Sequence, residues 1–421
     1  MKHYRWLVIA LAFLATIINY MDRSALSYAI GPLKELFKLN NANFGVLASS
    51  FGVGYVVMTL IGGIWVDKFG ARKVWTWAAI VWSISCALIG FASGFIMLFL
   101  FRLLMGLAEG PAFPAMTRTA ADWLPMSERA KAFAFSLAAV PLASVVGAPL
   151  ISHLILNYGW RIMFVVLGVF GIIWAIVWHV LFRDKPEQSR HVTPAELAHI
   201  HSEPEMRASH HSTSWRFILL SPSLLANNFA FFSFGYLLFF ALNWLPGYFE
   251  QTAGINLHEI GVFLIAPWLL GAALIILCGI VSDRIWKHTK SIRASRTHFI
   301  WICQILSAVC FIPATFTADA NLKLLFVTLG LGIGLMPNAT FYAINADLAK
   351  DRAATSLGVM DAAFALAGIL SPLITGFLAN ATGNFHIAIY VMSFLSFSSA
   401  ILVFCFQHPD RELKWITSPL S

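Results

Sequence analysis

Two adjacent charged residues, Asp22 and Arg23, interrupt an apolar run near the start of the chain. The stretch around them, from Trp6 to Gly31, is long enough to cross a lipid bilayer. An ionised side chain at the bilayer centre costs about 2.5–3.5 kcal/mol on insertion scales. We therefore expect both side chains to be paired, hydrated or used in function.

A second pair of charges, Arg102 and Glu109, lies in a later apolar run. They are seven positions apart, so both lie on one face of a helix, about 10 Å apart along its axis. Counting from the helix ends places Arg102 at the depth of Asp22 and Arg23. Glu109 lies lower.

These two acids and two bases can neutralise one another beside a wet cavity. We predict that Arg102 binds or positions an anionic group, while Arg23 mainly balances Asp22. The alternative is a purely structural network of buried ions. Such networks add little stability for their desolvation cost, which favours a functional role.

The composition indicates a membrane protein. Hydrophobic residues make up 59% of the 421 residues, charged residues only 11%, and the mean hydropathy is +0.76, whereas soluble chains carry roughly 25% charged residues. The net charge of +8 is scattered over short loops, so we expect no nucleic-acid partner. No nucleophile–base pair, metal cluster or nucleotide loop is visible, so we predict no enzyme, metal or cofactor.

Apolar runs of spanning length recur twelve times and predict twelve transmembrane helices. They lie near residues 6–30, 44–66, 74–93, 95–120, 131–156, 160–182, 221–249, 258–282, 297–317, 322–346, 354–379 and 385–407. We predict an N-terminal six-helix half (1–182), a cytoplasmic linker (183–220), a C-terminal six-helix half (221–407) and a cytoplasmic tail (408–421). A capping box from Thr193 to Glu196, with proline at its second position, predicts a short interfacial helix in the linker.

The two halves repeat in parallel. The segment from Gly63 to Lys68 resembles that from Gly279 to Arg284, and six spans separate the copies. Most of the 28 Lys and Arg residues fall on the side that carries both chain ends, which predicts cytoplasmic termini. We therefore predict an all-α membrane protein of two parallel-related halves about an axis along the membrane normal.

The loop between the second and third spans resembles the loop signature of the major facilitator superfamily, with a degenerate copy between the eighth and ninth spans. In that family the loop latches the two halves in the outward-open state. The resemblance therefore implies a conformational latch formed by Gly63, Asp67, Arg72, Asp283 and Arg284. From the residues themselves, we expect Gly63 to allow close helix approach, Asp67 to pair with a basic group or cap a helix, and Gly70 to make the turn. A simple anchor of positive charge inside is the alternative.

Three motifs resemble the anion:cation symporter family, which includes bacterial sugar-acid transporters and is related to sialin and the vesicular glutamate transporters. They are NYMDR in the first span, RLLMGLAEGPAFPA in the fourth span and DWLPMSERAKA after it. The resemblance implies proton-coupled symport of a small organic anion by alternating access in the inner (plasma) membrane. The coupling ion is then H⁺, no cofactor is needed, and we expect a monomer.

The same resemblance implies roles for individual residues. Asp22 and Glu109 match the family's proton-carrying acids. Arg23 and Arg102 match basic positions beside substrate and acid, and Tyr55 matches a substrate-facing tyrosine.

Two features depart from that family. The fifth span has no polar residue around Val140, and the eleventh carries Asp361 where an amide is usual. Small residues accompany the aspartate at helical spacing, and we expect this stripe to face the interior: Gly358, Asp361, Ala365, Gly368 and Pro372. Asp361 is then an extra proton site or a partner for an amino group on the substrate, unless helix neighbours satisfy it.

Asn338 and Tyr342, one turn apart in the tenth span, are further substrate-binding candidates, with polar contacts between helices as the alternative. The predicted partners are a small-molecule solute and the lipid bilayer. Asp361 and the altered fifth span keep a second function open: transport of a zwitterionic, neutral or cationic solute, or export.

Overall fold

The computed structural model of the chain describes residues 3–202, 215–349 and 353–412. These residues are predominantly helical and contain no strand, so the predicted all-α class is confirmed. They form two compact units, Met1–Arg207 and Ala208–Ser421. The boundary between the units falls within the predicted linker 183–220, and parts of that linker and of the predicted tail 408–421 lie outside the described residues.

Eight α-helices form the first unit. They are α1 (Tyr4–Tyr28), α2 (Ile30–Phe37), α3 (Asn41–Phe69), α4 (Ala71–Ile89), α5 (Phe95–Glu109), α6 (Ala112–Trp123), α7 (Met126–Leu181) and α8 (Pro194–Ile200). A 3₁₀ turn, Pro186–Gln188, precedes α8.

The described part of the second unit contains nine α-helices. They are α9 (Trp215–Leu220), α10 (Pro222–Ala253), α11 (Leu257–Phe263), α12 (Ile265–Thr289), α13 (His298–Phe311), α14 (Ala320–Leu335), α15 (Asn338–Ala349), α16 (Ala353–Thr382) and α17 (His386–Phe406). A π-helical turn, Arg293–Thr297, precedes α13, and a 3₁₀ turn, Pro313–Thr315, follows it.

Ten described helical stretches are long and apolar enough to cross a membrane. One of them, Phe135–Leu181 in α7, has 47 residues and breaks at Gly159, whose φ of 83° suits glycine. That break lies in the gap that the sequence left between spans 131–156 and 160–182. Dividing α7 there, and adding the 19-residue α4, gives helices at all twelve predicted positions.

The fourth and tenth predicted spans are each interrupted, which the sequence analysis did not anticipate. The fourth divides into α5 and α6 around Pro111, and the tenth into α14 and α15 around Pro337. A proline lacks the N–H that an α-helix needs and clashes with the preceding turn. Glu109 is therefore the last residue of α5, directly before the interruption.

Close packing of α3 on α5 and of α1 on α7 builds the first unit. A Cβ atom at Gly106 of α5 would lie 2.1 Å from the carbonyl oxygen of Phe51 in α3, so only glycine permits this approach. The contact brings the Phe51 ring next to the charged residues of α5. In the second unit α10 packs on α16, α12 on α14 and α13 on α17.

The predicted linker helix is present as α8. The Thr193 hydroxyl accepts a hydrogen bond from the Glu196 amide at 3.3 Å, which is half of the predicted capping box. The Glu196 carboxylate turns to α1 instead, where it accepts from the backbone amides of Tyr4 and Arg5, each at 3.0 Å. The Arg5 side chain also binds Glu128, with Nε to Oε2 at 2.9 Å, so that α1, α7 and α8 meet at one group of ion pairs.

Candidate functional site

The four predicted charged residues lie on two helices of the first unit and are almost fully buried. Asp22 and Glu109 are 0% exposed, Arg102 is 1% exposed and Arg23 is 5% exposed. The Nε atom of Arg23 donates to Oε2 of Glu109 at 2.7 Å. The predicted pairing of Arg23 with Asp22 is therefore wrong.

The direction of helical side chains explains this pairing. Neighbouring residues on an α-helix point about 100° apart, so Asp22 and Arg23 face different sides of α1. Side chains also lean towards the N-terminus of their helix, and the long arginine thus reaches the level of Glu109.

Several buried polar atoms of the cluster have no hydrogen-bond partner among the described residues. They are both carboxylate oxygens of Asp22, Oε1 of Glu109, Nη1 of Arg23 and Nε of Arg102. The thiol of Cys86, on α4, lies beside Asp22. Because buried polar groups in folded proteins are normally satisfied, this cluster has capacity left for protons, water or a ligand.

Aromatic rings enclose the Arg23 guanidinium. Its central carbon lies 4.5 Å from the ring centroid of Tyr20, 4.9 Å from that of Phe51 and 4.7 Å from that of Tyr55. The guanidinium carbon of Arg102 lies 5.2 Å from Phe51 as well. Cation–π contacts of this kind hold a guanidinium in place without removing its hydrogen-bonding capacity.

A narrow pocket, with a cavity volume of about 20 Å³, adjoins this cage. Nine residues of the first unit line it: Thr16, Asn19, Tyr20, Arg23, Tyr55, Trp75, Ala112, Phe113 and Met116. It thus contains two of the predicted substrate-binding residues, Arg23 and Tyr55. Arg102 does not line the pocket, and neither do the two acids.

Most of the other lining residues carry no predicted role. A signal was present on α1, since Thr16, Asn19 and Arg23 follow one another at three and four residues and therefore share a face. No such signal marks Trp75, because α4 contains several tryptophans and nothing in their spacing distinguishes one from another.

The predicted latch loop makes contacts within the first unit. Asp67 pairs with Arg118 at 3.5 Å, and both side chains are exposed. The backbone amide of Arg72 donates to Asp184 at 2.8 Å, and its guanidinium donates to the carbonyl of His179 near the end of α7. Gly70 makes the predicted turn, with a φ of 85°.

The predicted close approach at Gly63 is wrong. A Cβ atom at Gly63 would meet nothing within 4 Å, whereas one at Gly62 would lie 2.8 Å from the Cα atom of Pro111. The helix turns by about 100° per residue, and the first glycine of the pair therefore faces α6.

The second copy of the latch forms a small ion cluster. Nη1 of Arg296 lies 3.4 Å from Asp283, and its Nε atom lies 3.4 Å from Asp347. Arg284 is exposed.

The remaining predicted substrate-binding residues lie in the second unit. Asn338 is buried, and Tyr342 packs its ring against Phe231 at 5.5 Å. Asp361 is partly exposed, and no described residue pairs with its carboxylate or donates a hydrogen bond to it.

The predicted small-residue stripe of α16 divides into two parts. A Cβ atom at Gly368 would lie 2.9 Å from Phe239, and the carbonyl of Pro372 accepts from Trp244 at 3.3 Å, so this end packs on α10. Gly358, at the other end, has nothing within 4 Å of a Cβ atom. Asp361 belongs to this open end.

Comparisons with known proteins identify the family. The family model described as Major Facilitator Superfamily matches residues 12–369 and 291–420. The chain is 30% identical over 405 residues to the hexuronate transporter of Bacillus subtilis (strain 168), covering 96% of this chain and 94% of that protein. It is 33% identical over 402 residues to the probable galactarate/D-glucarate transporter GudP of the same strain, covering 91% and 87%.

A third relative is the probable sulfoacetate transporter SauU of Cupriavidus necator, 30% identical over 386 residues, with 91% and 89% covered. By their names these three relatives transport organic anions, which agrees with the resemblance found in the motifs. Among solved structures, an inward-facing, occupied bacterial homolog of the human lysosomal transporter Spinster superposes with a TM-score of 0.80 at 17% identity, covering 100% of each chain. That likeness concerns the fold. The chain is a membrane transporter and belongs to the major facilitator superfamily.

Proposed function

We propose that this transporter couples the entry of protons to the uptake of a small organic anion, by alternating access. The observation that carries the proposal is the buried Arg23–Glu109 pair beside an aromatic-lined pocket, with Asp22 and Arg102 nearby. A buried, incompletely satisfied set of acids and bases is costly to fold. Ionisable residues within spanning helices generally mark substrate and proton pathways.

Arg23 is the residue of the cluster best placed to meet an anion. It lines the pocket, and its Nη1 atom has no hydrogen-bond partner among the described residues. A planar guanidinium matches the two oxygens of a carboxylate. An anion at Arg23 would compete with Glu109 for the same positive charge, and Glu109 would then be neutralised by a proton.

Asp22 and Arg102 complete the proposed mechanism. No nitrogen or hydroxyl group of the described residues donates to Asp22, so that a proton is the direct way to neutralise it. Arg102 lies beyond the pocket wall, over Phe51. It positions the anion by its charge and balances whichever acid is ionised.

We propose that the chain is a monomer in the inner (plasma) membrane, with both termini in the cytoplasm and the two loop copies acting as a latch. The distribution of Lys and Arg supports this orientation. The proposed transport cycle needs no cofactor and no catalytic step.

The test uses purified full-length protein in sealed vesicles. D-glucuronate, D-glucarate and sulfoacetate are offered in turn, with and without an inward proton gradient. We expect at least one anion to accumulate only with the gradient, and its addition to vesicles without a gradient to drive proton entry. Accumulation of an anion that does not depend on the proton gradient would contradict the proposal. So would accumulation of an ammonium-bearing solute but of none of the three anions.

One observation favours a second function. Asp361 is partly exposed and lacks a described counter-charge. If it stays ionised, it repels a bare anion and favours a substrate that also carries an ammonium group.

A further inference from the structure

Two residues that line the pocket carry buried polar atoms that the proposed mechanism does not use. Oδ1 of Asn19 is an acceptor, Nε1 of Trp75 is a donor, and neither has a hydrogen-bond partner among the described residues. Asn19 is 3% exposed and Trp75 is 1% exposed. A buried polar group without a partner costs free energy, so each atom should find one inside the pocket.

Both residues are within reach of a molecule held by Arg23. Asn19 precedes Arg23 by one turn of α1, which places it on the same face and about 6 Å away along the axis. Trp75, on α4, forms part of the same pocket wall. An anion bound at Arg23 would therefore extend between these two groups.

The indole of Trp75 is held in one orientation by its neighbours. Its ring lies 5.2 Å from that of Trp174 and 4.8 Å from that of Trp178. Trp174 is itself fixed, because its Nε1 donates to the carbonyl of Leu11 at 2.8 Å. A donor fixed in this way recognises a partner at a defined position.

The chemistry of the two atoms defines the group they can bind. A hydroxyl both donates and accepts, and so satisfies Asn19 and Trp75. The oxygens of a carboxylate or sulfonate only accept, which leaves the Asn19 acceptor unpaired, and a methylene group leaves both unpaired. We propose that Asn19 and Trp75 are specificity-determining residues that recognise a hydroxyl group of the transported anion; the assignment rests on the function proposed above.

The test compares matched anions that differ only in hydroxyl groups. Binding to the purified full-length protein is measured by calorimetry for D-glucarate and adipate, D-gluconate and hexanoate, and L-malate and succinate. Each hydrogen bond to an uncharged group changes affinity by about tenfold, so we expect the hydroxylated member of a bound pair to bind at least about tenfold more tightly. Trp75→Phe and Asn19→Leu should each reduce that preference to within about threefold, and Asn19→Ala replaces the leucine variant if the latter does not fold.

Trp82→Phe is the matched control. Trp82 is on the same helix, is 0% exposed and also has an unpartnered Nε1 atom, but it does not line the pocket. Its variant should keep the full preference for hydroxylated anions. An equal loss in the Trp82 and Trp75 variants would overturn the assignment.

Two further outcomes separate this assignment from the proposed function. If the protein binds these anions but ignores the hydroxyl, the assignment fails and the proposed function stands. If none of the six anions shows saturable binding, and D-glucuronate and sulfoacetate show none either, the proposed function fails and the assignment with it.

Discussion

The guanidinium of Arg23 and the carboxylate of Glu109 meet at 2.7 Å between Nε and Oε2, across the contact of α1 with the end of α5. This pair joins the pocket to the interior of the first unit, because Arg23 lines the pocket and Glu109 does not. A ligand that draws Arg23 towards the pocket therefore weakens the bond to Glu109.

Glu109→Gln should abolish proton flux driven by substrate in sealed vesicles, and it should destabilise the protein. Removing one partner of a buried ion pair costs about 3–5 kcal/mol, because the other charge stays buried without compensation. Asp22→Asn should also abolish the flux but cost less stability, since no described side chain forms an ion pair with Asp22 within 4 Å.

The control for these variants is the double variant Arg23→Gln with Glu109→Gln. It should recover part of the lost unfolding temperature without recovering transport. Full concentrative uptake in both Asp22→Asn and Glu109→Gln would remove these two acids from proton coupling.

Arg23→Lys should weaken the binding of an anionic substrate, and Arg102→Gln, which removes a charge outside the pocket, should weaken it less. A lysine cannot present the planar fork that matches a carboxylate, and Arg23 lines the pocket, so we expect the larger loss for Arg23→Lys, about tenfold or more. Calorimetric titration measures both. Unchanged affinity in Arg102→Gln would remove Arg102 from substrate binding.

The sequence predicted the members of the cluster but not their pairing. Apolar context and helical spacing were enough to bring Asp22, Arg23, Arg102 and Glu109 together, since a charge in a spanning segment needs a compensating group. Which acid faces which base depends on the direction of each side chain, which spacing along one helix does not determine. The place of Trp75 in the pocket wall depends on how α4 packs against α6, and a single sequence carries no direct signal for that contact.

Gly62→Ala and Gly63→Ala form a matched pair that tests helix packing at the loop. A Cβ atom at Gly62 would overlap Pro111, so we expect Gly62→Ala to destabilise the protein by about 1–3 kcal/mol. Gly63→Ala should leave stability unchanged or slightly improved, because alanine favours helix and open space surrounds the site. Thermal unfolding of both variants checks this, and equal effects would contradict the packing of α3 on α6.

Gly63→Ala also tests the latch. A changed transport rate at unchanged stability would support a role for this glycine in the conformational cycle. A normal rate would leave Gly63 as part of a positively charged anchor only.

Glu128→Gln should make the free energy of unfolding less dependent on pH in the acidic range. Hydrogen bonds from Arg5 lower the pKa of Glu128 to about 2, whereas an unfolded glutamate has a pKa of about 4.3. A lowered pKa means that the carboxylate stabilises the fold above about pH 4.3, and that this contribution is lost as the pH falls towards 2. At pH 7 the parent protein should therefore unfold at a higher temperature than Glu128→Gln, by roughly 2–4 °C for each kcal/mol of stability that the variant loses. This difference should shrink below pH 4.

The exposed Glu35 supplies the control for this pH dependence. Glu35→Gln should change the unfolding temperature little at either pH. A difference for Glu128→Gln that grew on acidification would contradict the stabilising role of its bond to Arg5.

Asp361→Asn tests whether Asp361 is ionised or protonated during transport. Asp361 lies at the open end of the α16 stripe and is partly exposed, so neighbouring helices do not enclose its carboxyl group. If Asp361 is ionised, the asparagine variant should shift selectivity from amino-bearing solutes towards plain carboxylates, because it removes a negative charge while keeping the shape. If Asp361 is protonated during transport, the variant should keep its selectivity and lose one step in the pH profile of uptake. Competition between D-glucuronate and D-glucosaminate in vesicles, measured from pH 5 to pH 8, reports both quantities, and a variant unchanged in each would return Asp361 to a structural role.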